Sequence, residues 1–205
     1  MITFFQIDKS GGDLFEKDYS VVLVVNKKEV YGINVPQKIK DDLTALFKRG
    51  SLRIVGSSDR SSEKTQRNRF RIRFHTAIVI QLLKRAIKDL GYVDEVNIEI
   101  CNDFDGHFHE IKDMIFKHFS KLIPSLKPED IVSARFQKPS LIDDAGKTFR
   151  ERDKPKLRDY TTIDLNIDDL YKIIKNDSNR GSKSRTPFAP PCDETPSRYY
   201  CLVSK

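Results

Sequence analysis

The period of the hydrophobic positions changes along the chain, and the changes mark out its elements. Residues 3–7 are apolar, have high β-propensity and stop at Asp8, and Lys9-Ser10-Gly11-Gly12 has turn chemistry. A first strand ending at Asp8 is predicted. Residues 20–25 are a continuous Val-rich run that suits a central strand. Asn26-Lys27-Lys28 is a tight polar connection, and residues 29–35 alternate as the hairpin partner. Pro36 opens a helix with Ile39, Leu43, Leu46 and Phe47 on one face and Gly50 as its stop. Residues 52–55 read as a further short strand, and the Ser-rich stretch 56–65 as a flexible loop.

Residues 76–90 carry the clearest helical stripe, Val79, Leu82, Leu83, Ala86 and Leu90, closed by Gly91. In residues 93–101, Val96, Ile98 and Ile100 alternate with Asn97, Glu99 and Cys101, which predicts a strand. A helix over 107–123 follows, with Phe108, Ile111, Ile115, Phe119 and Leu122 on its stripe, then a loop and a last strand over 131–136. Residues 138–160 are charged, with Leu141, Ile142, Phe149 and Leu157 as their anchors, and 168–175 form a short helix. The expected fold is α/β: a mixed sheet that begins with a three-stranded antiparallel meander, with helices on its faces. Residues 1–175 are expected as a single domain, and 176–205 as a polar, Pro/Ser-rich mobile tail.

Composition narrows the function classes. No apolar run approaches the roughly 20 residues that span a bilayer, and the first residues lack the basic leader of a signal peptide. A cytoplasmic protein without a membrane partner is expected. The three cysteines, Cys101, Cys192 and Cys201, are irregularly spaced, which argues against a disulfide framework or a structural zinc. A net charge of +7 favours polyanions, nucleic acid first.

The distribution of charge sharpens this. Arg67, Arg69, Arg71 and Arg73 alternate with Asn68, Phe70 and Ile72, and residues 66–88 contain no acid. As a strand they would show one cationic face; as a helical extension of 76–90 they would split between two faces. In either form a phosphate-contact surface accounts for the bias, against a plain solvated face or arginines paired with acids elsewhere in the fold. The acids Asp8, Asp103 and Asp105, with Asp143 and Asp144 later, are the candidate metal ligands. If the strands before Asp8 and Asp103 are neighbours their acids converge, and hard oxygen ligands suit Mg²⁺ or Mn²⁺. The plain alternative is that Asp103 or Asp105 caps the next helix. His107 and His109 with Asp103 and Asp105 are a weaker candidate for a transition metal.

Ile7-Asp8-Lys9-Ser10-Gly11, the meander after it and the strand leading to Asn102-Asp103 resemble the ribonuclease H-like superfamily. The resemblance is nearest to the branch whose first strand ends in Asp-x-Ser/Ala-Gly, which includes type 2 ribonuclease H. It covers residues 1–152. It implies Asp8 as a bridging metal ligand, Asp103 as the second-strand ligand, and Asp143 or Asp144, in Leu141-Ile142-Asp143-Asp144-Ala145, as the late ligand. Asp8, Asp103 and Asp144 would be the catalytic set. Two departures are visible: the acid that follows the first Asp in that branch is Lys9 here, and the acid-free stretch 66–88 offers no helical Glu. Such a site holds one metal, recruits Glu99 or Asp105, or is inactive. The expected function is a divalent-metal-dependent nuclease on RNA, an RNA/DNA hybrid or structured nucleic acid, with Lys9 and the arginines against phosphates. The rivals are a non-catalytic nucleic-acid-binding or assembly protein on the same scaffold, and an interaction module docking a protein through residues 187–196.

Overall fold

The first strand does not stop at Asp8. The computed structural model describes residues 2–15, 18–48, 62–104, 106–165 and 167–181, and in it β1 spans Ile2–Gly11. Asp8, Lys9 and Ser10 pair with Val22, Val21 and Ser20 of β2 (Tyr19–Val25), so the turn begins only after Gly11. A polar strand end is tolerated there because the β2 ladder continues to satisfy its backbone. The predicted hairpin to β3 (Glu29–Asn34) forms, with Asn26 and Lys27 in the left-handed region that a tight two-strand turn requires. Helix α1 (Gln37–Lys48) follows Pro36 and buries Leu43. The side chains of Leu46 and Phe47, Gly50 and the strand expected at 52–55 lie outside the described residues.

Helix α2 (Glu63–Leu90) decides the arginine segment: it is helical, continuous with the stripe predicted at 76–90. Ser62 caps it by accepting from the Thr65 N–H at 3.3 Å, so the expected loop ends before Glu63. Phe70 and Phe74, four residues apart, are both buried with ring centroids 5.8 Å apart, a pairing that a helix makes and a strand does not. The Gly91 N–H closes the helix on the Ile87 carbonyl at 3.1 Å.

The remaining elements are β4 (Glu95–Cys101), α3 (Phe108–Phe119), β5 (Ile131–Ala134), α4 (Leu141–Glu151), the short α5 (Lys154–Leu157), β6 (Thr161–Thr162) and α6 (Ile167–Gly181). The pattern at 138–160 predicts charged chain with scattered anchors, yet Ile142, Ala145 and Phe149 bury one face of α4. Helix α6 runs past Lys175, where the tail was set, and residues 182–205 lie outside the described set.

The sheet has six strands in the order β5-β4-β1-β2-β3-β6. β2 is antiparallel to β1 and β3, while β4 is parallel to β1 and β5, so the sheet is mixed as expected. Its two faces carry separate cores. Phe5, Ile7, Val21, Leu23 and Ile33 pack with the buried side of α2 and with Ile111 and Ile115 of α3. Val22, Val24 and Val30 pack with Ile142, Ala145 and Phe149 of α4. Gly32 of β3 is small because the Phe149 ring lies where its Cβ would stand. Among the described residues no helix is long and apolar enough to cross a membrane.

Candidate functional site

Parallel pairing of β1 with β4 sets the site. Ile7 stands opposite Ile100, which leaves Asp8 beside Cys101 one residue further along both strands. Strand alternation turns Asp8 toward the α4 face, together with its ladder partner Val22. Asp103 follows two residues after the end of β4. Ligand atoms of Asp8, Cys101 and Asp103 all lie within 4.8 Å of one another. The convergence expected of Asp8 and Asp103 therefore holds.

The electrostatics are those of acids held close together and partly dried. Burial raises the Asp8 carboxyl above the ordinary carboxylate range, and the charge of Asp103 raises it further. Opposing this, the Cys101 thiol and the Lys9 backbone N–H donate to Asp8, and Lys138 contributes positive charge. Burial, followed by the hydrogen bond to Asp8, pushes the Cys101 thiol up to about 12, so it stays a donor. Such a donor set fits a divalent cation, whose charge offsets the repulsion between two carboxylates.

A cleft of about 490 Å³ opens on this cluster. Asp8 and Asp103 line it from the strand ends, while Asp143, Lys147 and Arg150 line it from α4. Helix α4 begins at Ser140, whose hydroxyl accepts from the Asp143 N–H at 3.4 Å. Asp143 is thus on the cleft wall and is ion-paired with Lys138 at 2.8 Å. Asp144, one residue on, is not among the lining residues, and Lys156 holds it at 3.3 Å. Asp105 lies outside the described residues.

Of the other expected residues, Lys9 also lines the cleft, while its ammonium donates to the Gly11 carbonyl at 3.3 Å and lies 5.7 Å from the Tyr19 ring centroid. None of the four arginines lines the cleft. Arg71 pairs with Asp13 at 3.0 Å, and Arg67 stacks over Phe15 at 4.7 Å; Arg69 and Arg73 are partly exposed. Glu99 accepts from the Gln6 side-chain amide at 2.9 Å, within the sheet. Asp103 does not cap α3: the cap position is His107, with no side-chain cap bond. His107 is occupied through both ring nitrogens, by Asn68 at 3.2 Å and Glu110 at 3.1 Å. Among the described residues the Asp8, Cys101 and Asp103 group is the one cluster with metal-ligand geometry.

Sequence reasoning passed over Cys101, Lys138, Lys147 and Arg150. Cys101 was readable as the residue that shares a face with Asn97 and Glu99, but its neighbour Asp8 follows from strand register alone. Together the fold and site define an α/β protein with a mixed six-stranded sheet and a cleft of mixed charge, with an acidic cluster, between β1 and α4. Compared with protein-family models, curated proteins and solved structures, the chain matches none.

Proposed function

We propose that the chain is a divalent-metal-dependent nuclease on a ribonuclease H-like scaffold. The observation that carries the reading is the meeting of Asp8 and Asp103 from adjacent parallel strands, with Asp143 on the helix across the cleft. An antiparallel meander followed by parallel strands beside β1 supports the scaffold. Asp8 and Asp103 would hold Mg²⁺ or Mn²⁺, and Asp143 is the late acid of the set in preference to Asp144, since it faces the cleft. A cation bound there supplies charge stabilisation for a phosphodiester's oxygens. The Cys101 thiol orients Asp8 by donating to it, and Lys138 holds Asp143 in place. The test is incubation of the full chain with labelled RNA, DNA and RNA/DNA hybrid in Mn²⁺ or Mg²⁺. Cleavage that a chelator stops, and that is lost in Asp8→Asn and Asp103→Asn, is expected. Cleavage unchanged in Asp8→Asn removes the nuclease.

Two observations favour a second reading, a non-catalytic nucleic-acid-binding protein. Lys9 stands where the branch has its second acid, and Lys138 neutralises Asp143 at 2.8 Å. That reading expects no cleavage in any metal, and salt-sensitive binding that weakens when Arg69, Arg71 and Arg73 are replaced.

A further inference from the structure

The charge of the cleft changes sign along its length. Strand β1 contributes Asp8 and, two residues on and on the same face, Ser10; both line the cleft. Helix α4 runs alongside with Asp143 near its start, then Lys147 and Arg150. Asp8, Asp103 and Asp143 gather around Lys138, while Arg150 reaches Ser10, two residues further along β1, with Lys147 one turn before it on α4. Gly146 makes this possible: a Cβ there would stand 3.2 Å from the Ser10 Cβ, so α4 rests directly on β1. That contact holds the two cations against the strand.

The basic end has hydrogen-bonding capacity to spare. Arg150 makes long contacts, 3.5 Å to the Ser10 hydroxyl and 3.6 Å to Glu151, which leaves most of its five N–H donors for another acceptor. Lys147 is exposed. A guanidinium fork, an ammonium and the Ser10 hydroxyl form a donor set that matches phosphate oxygens.

Resting on the reading above, we propose that this end is a phosphate subsite for a single nucleic-acid strand, whose reacting phosphodiester lies at the acidic end. Asp143 and Arg150 are seven residues apart on one helix, about 10 Å at ~1.5 Å per residue. In a duplex one strand advances about 3.4 Å per nucleotide, and an extended single strand advances further. Lys147 and Arg150 therefore hold phosphates within about three nucleotides of the reacting one. The strand-reading cations are those of α4, on the opposite face of the sheet from the α2 arginines.

The experiment measures binding of a fluorescent single-stranded oligonucleotide to the full chain in chelator, as a function of salt. Each phosphate contact on a single strand contributes about 0.7 to the slope of log K against log salt. Lys147→Ala/Arg150→Ala should lower the slope by about 1.4, and Lys147→Arg/Arg150→Lys should restore it, provided both melt as the parent does. Lys147→Glu, at an exposed position, gives the same direction if the double variant misfolds. An unchanged slope overturns the subsite, and so does competition by a mononucleotide as effective as that of the strand. Metal-dependent cleavage by the same protein is read separately. Its absence with the slope change present removes the nuclease alone; its presence with an unchanged slope removes the subsite alone.

Discussion

Asp8 is a carboxylate that its surroundings penalise, and the penalty has a testable sign. Burial and Asp103 raise its folded pKa above the ordinary 3.8. Between the unfolded and folded values the native state binds more protons, so this group's contribution to stability falls as pH rises through that window. At neutral pH the full penalty is present. Asp8→Asn, which removes the charge and keeps an acceptor for the Cys101 thiol, should therefore raise the melting temperature in chelator at neutral pH, with the gain vanishing below the window. A variant that melts lower than the parent at neutral pH contradicts this account of the site. Cys101 acts in the opposite direction by donating to Asp8. Cys101→Ala should move the pH at which Mn²⁺ binding is half-lost upward, since the ligand must be deprotonated; Cys101→Ser retains a donor and should move it less. Calorimetric titration of Mn²⁺ across pH reads both. The acids were legible in the sequence because an Asp after an apolar strand stands out. Cys101, Lys147 and Arg150 were not, since their meaning comes from register and from a helix crossing rather than from neighbours in the chain.

Helix α4 is the element whose placement makes the cleft, and two glycines seat it: Gly146 against Ser10 and Gly32 beneath Phe149. The Phe149 ring occupies the space over Gly32, and the ring of Tyr160 stacks on the Phe149 ring at 6.0 Å, inclined by 15°. Gly32→Ala drives a Cβ into that ring, and overpacking of this kind costs about 1–3 kcal/mol. Urea denaturation should show that loss, while far-ultraviolet dichroism keeps the sheet; an alanine variant as stable as the parent would mean that α4 is not packed as described. The charged run 138–160 concealed this helix, since its apolar face is only Ile142, Ala145 and Phe149 among many ionic side chains. Helix α2 shows the converse. Its arginines at spacing two imitate a strand, but Ser62 caps a helix before them and Phe70 and Phe74 are both buried on it, so tertiary packing settles what periodicity left open. The meander and β4 were legible because Val-rich runs and strict alternation have no helical competitor. The extension of β1 through Ser10 was not, because polar residues at a strand end read as a turn.

The two cores meet at β1 and β2, and the core on the α2 face contains a buried polar pair. The Tyr19 hydroxyl lies 2.8 Å from Nδ1 of His75, joining β2 to α2. Lys9 lies over the Tyr19 ring, and the Phe104 ring is 4.8 Å from the imidazole, just before α3. The cluster thus binds both strand ends of the site to the central helix. His75 is buried, and burial, aided by the charge of Lys9, lowers its pKa from 6.5 to about 3. Between these values the unfolded chain holds a proton that the folded chain excludes. Stability from this group is complete above pH 6.5 and is lost as pH falls toward the folded value, at up to about 1.4 kcal/mol per pH unit. Asp8 contributes with the opposite sign near its own window, so the net acid slope in the parent should steepen in Asp8→Asn. Urea unfolding of the parent and of His75→Gln over mildly acidic pH separates the groups. The variant is expected to be less stable at neutral pH, because it loses the fit against Tyr19 and Phe104, yet flatter with pH. If its stability falls with acid as steeply as the parent's, His75 is not the group that protonates on unfolding.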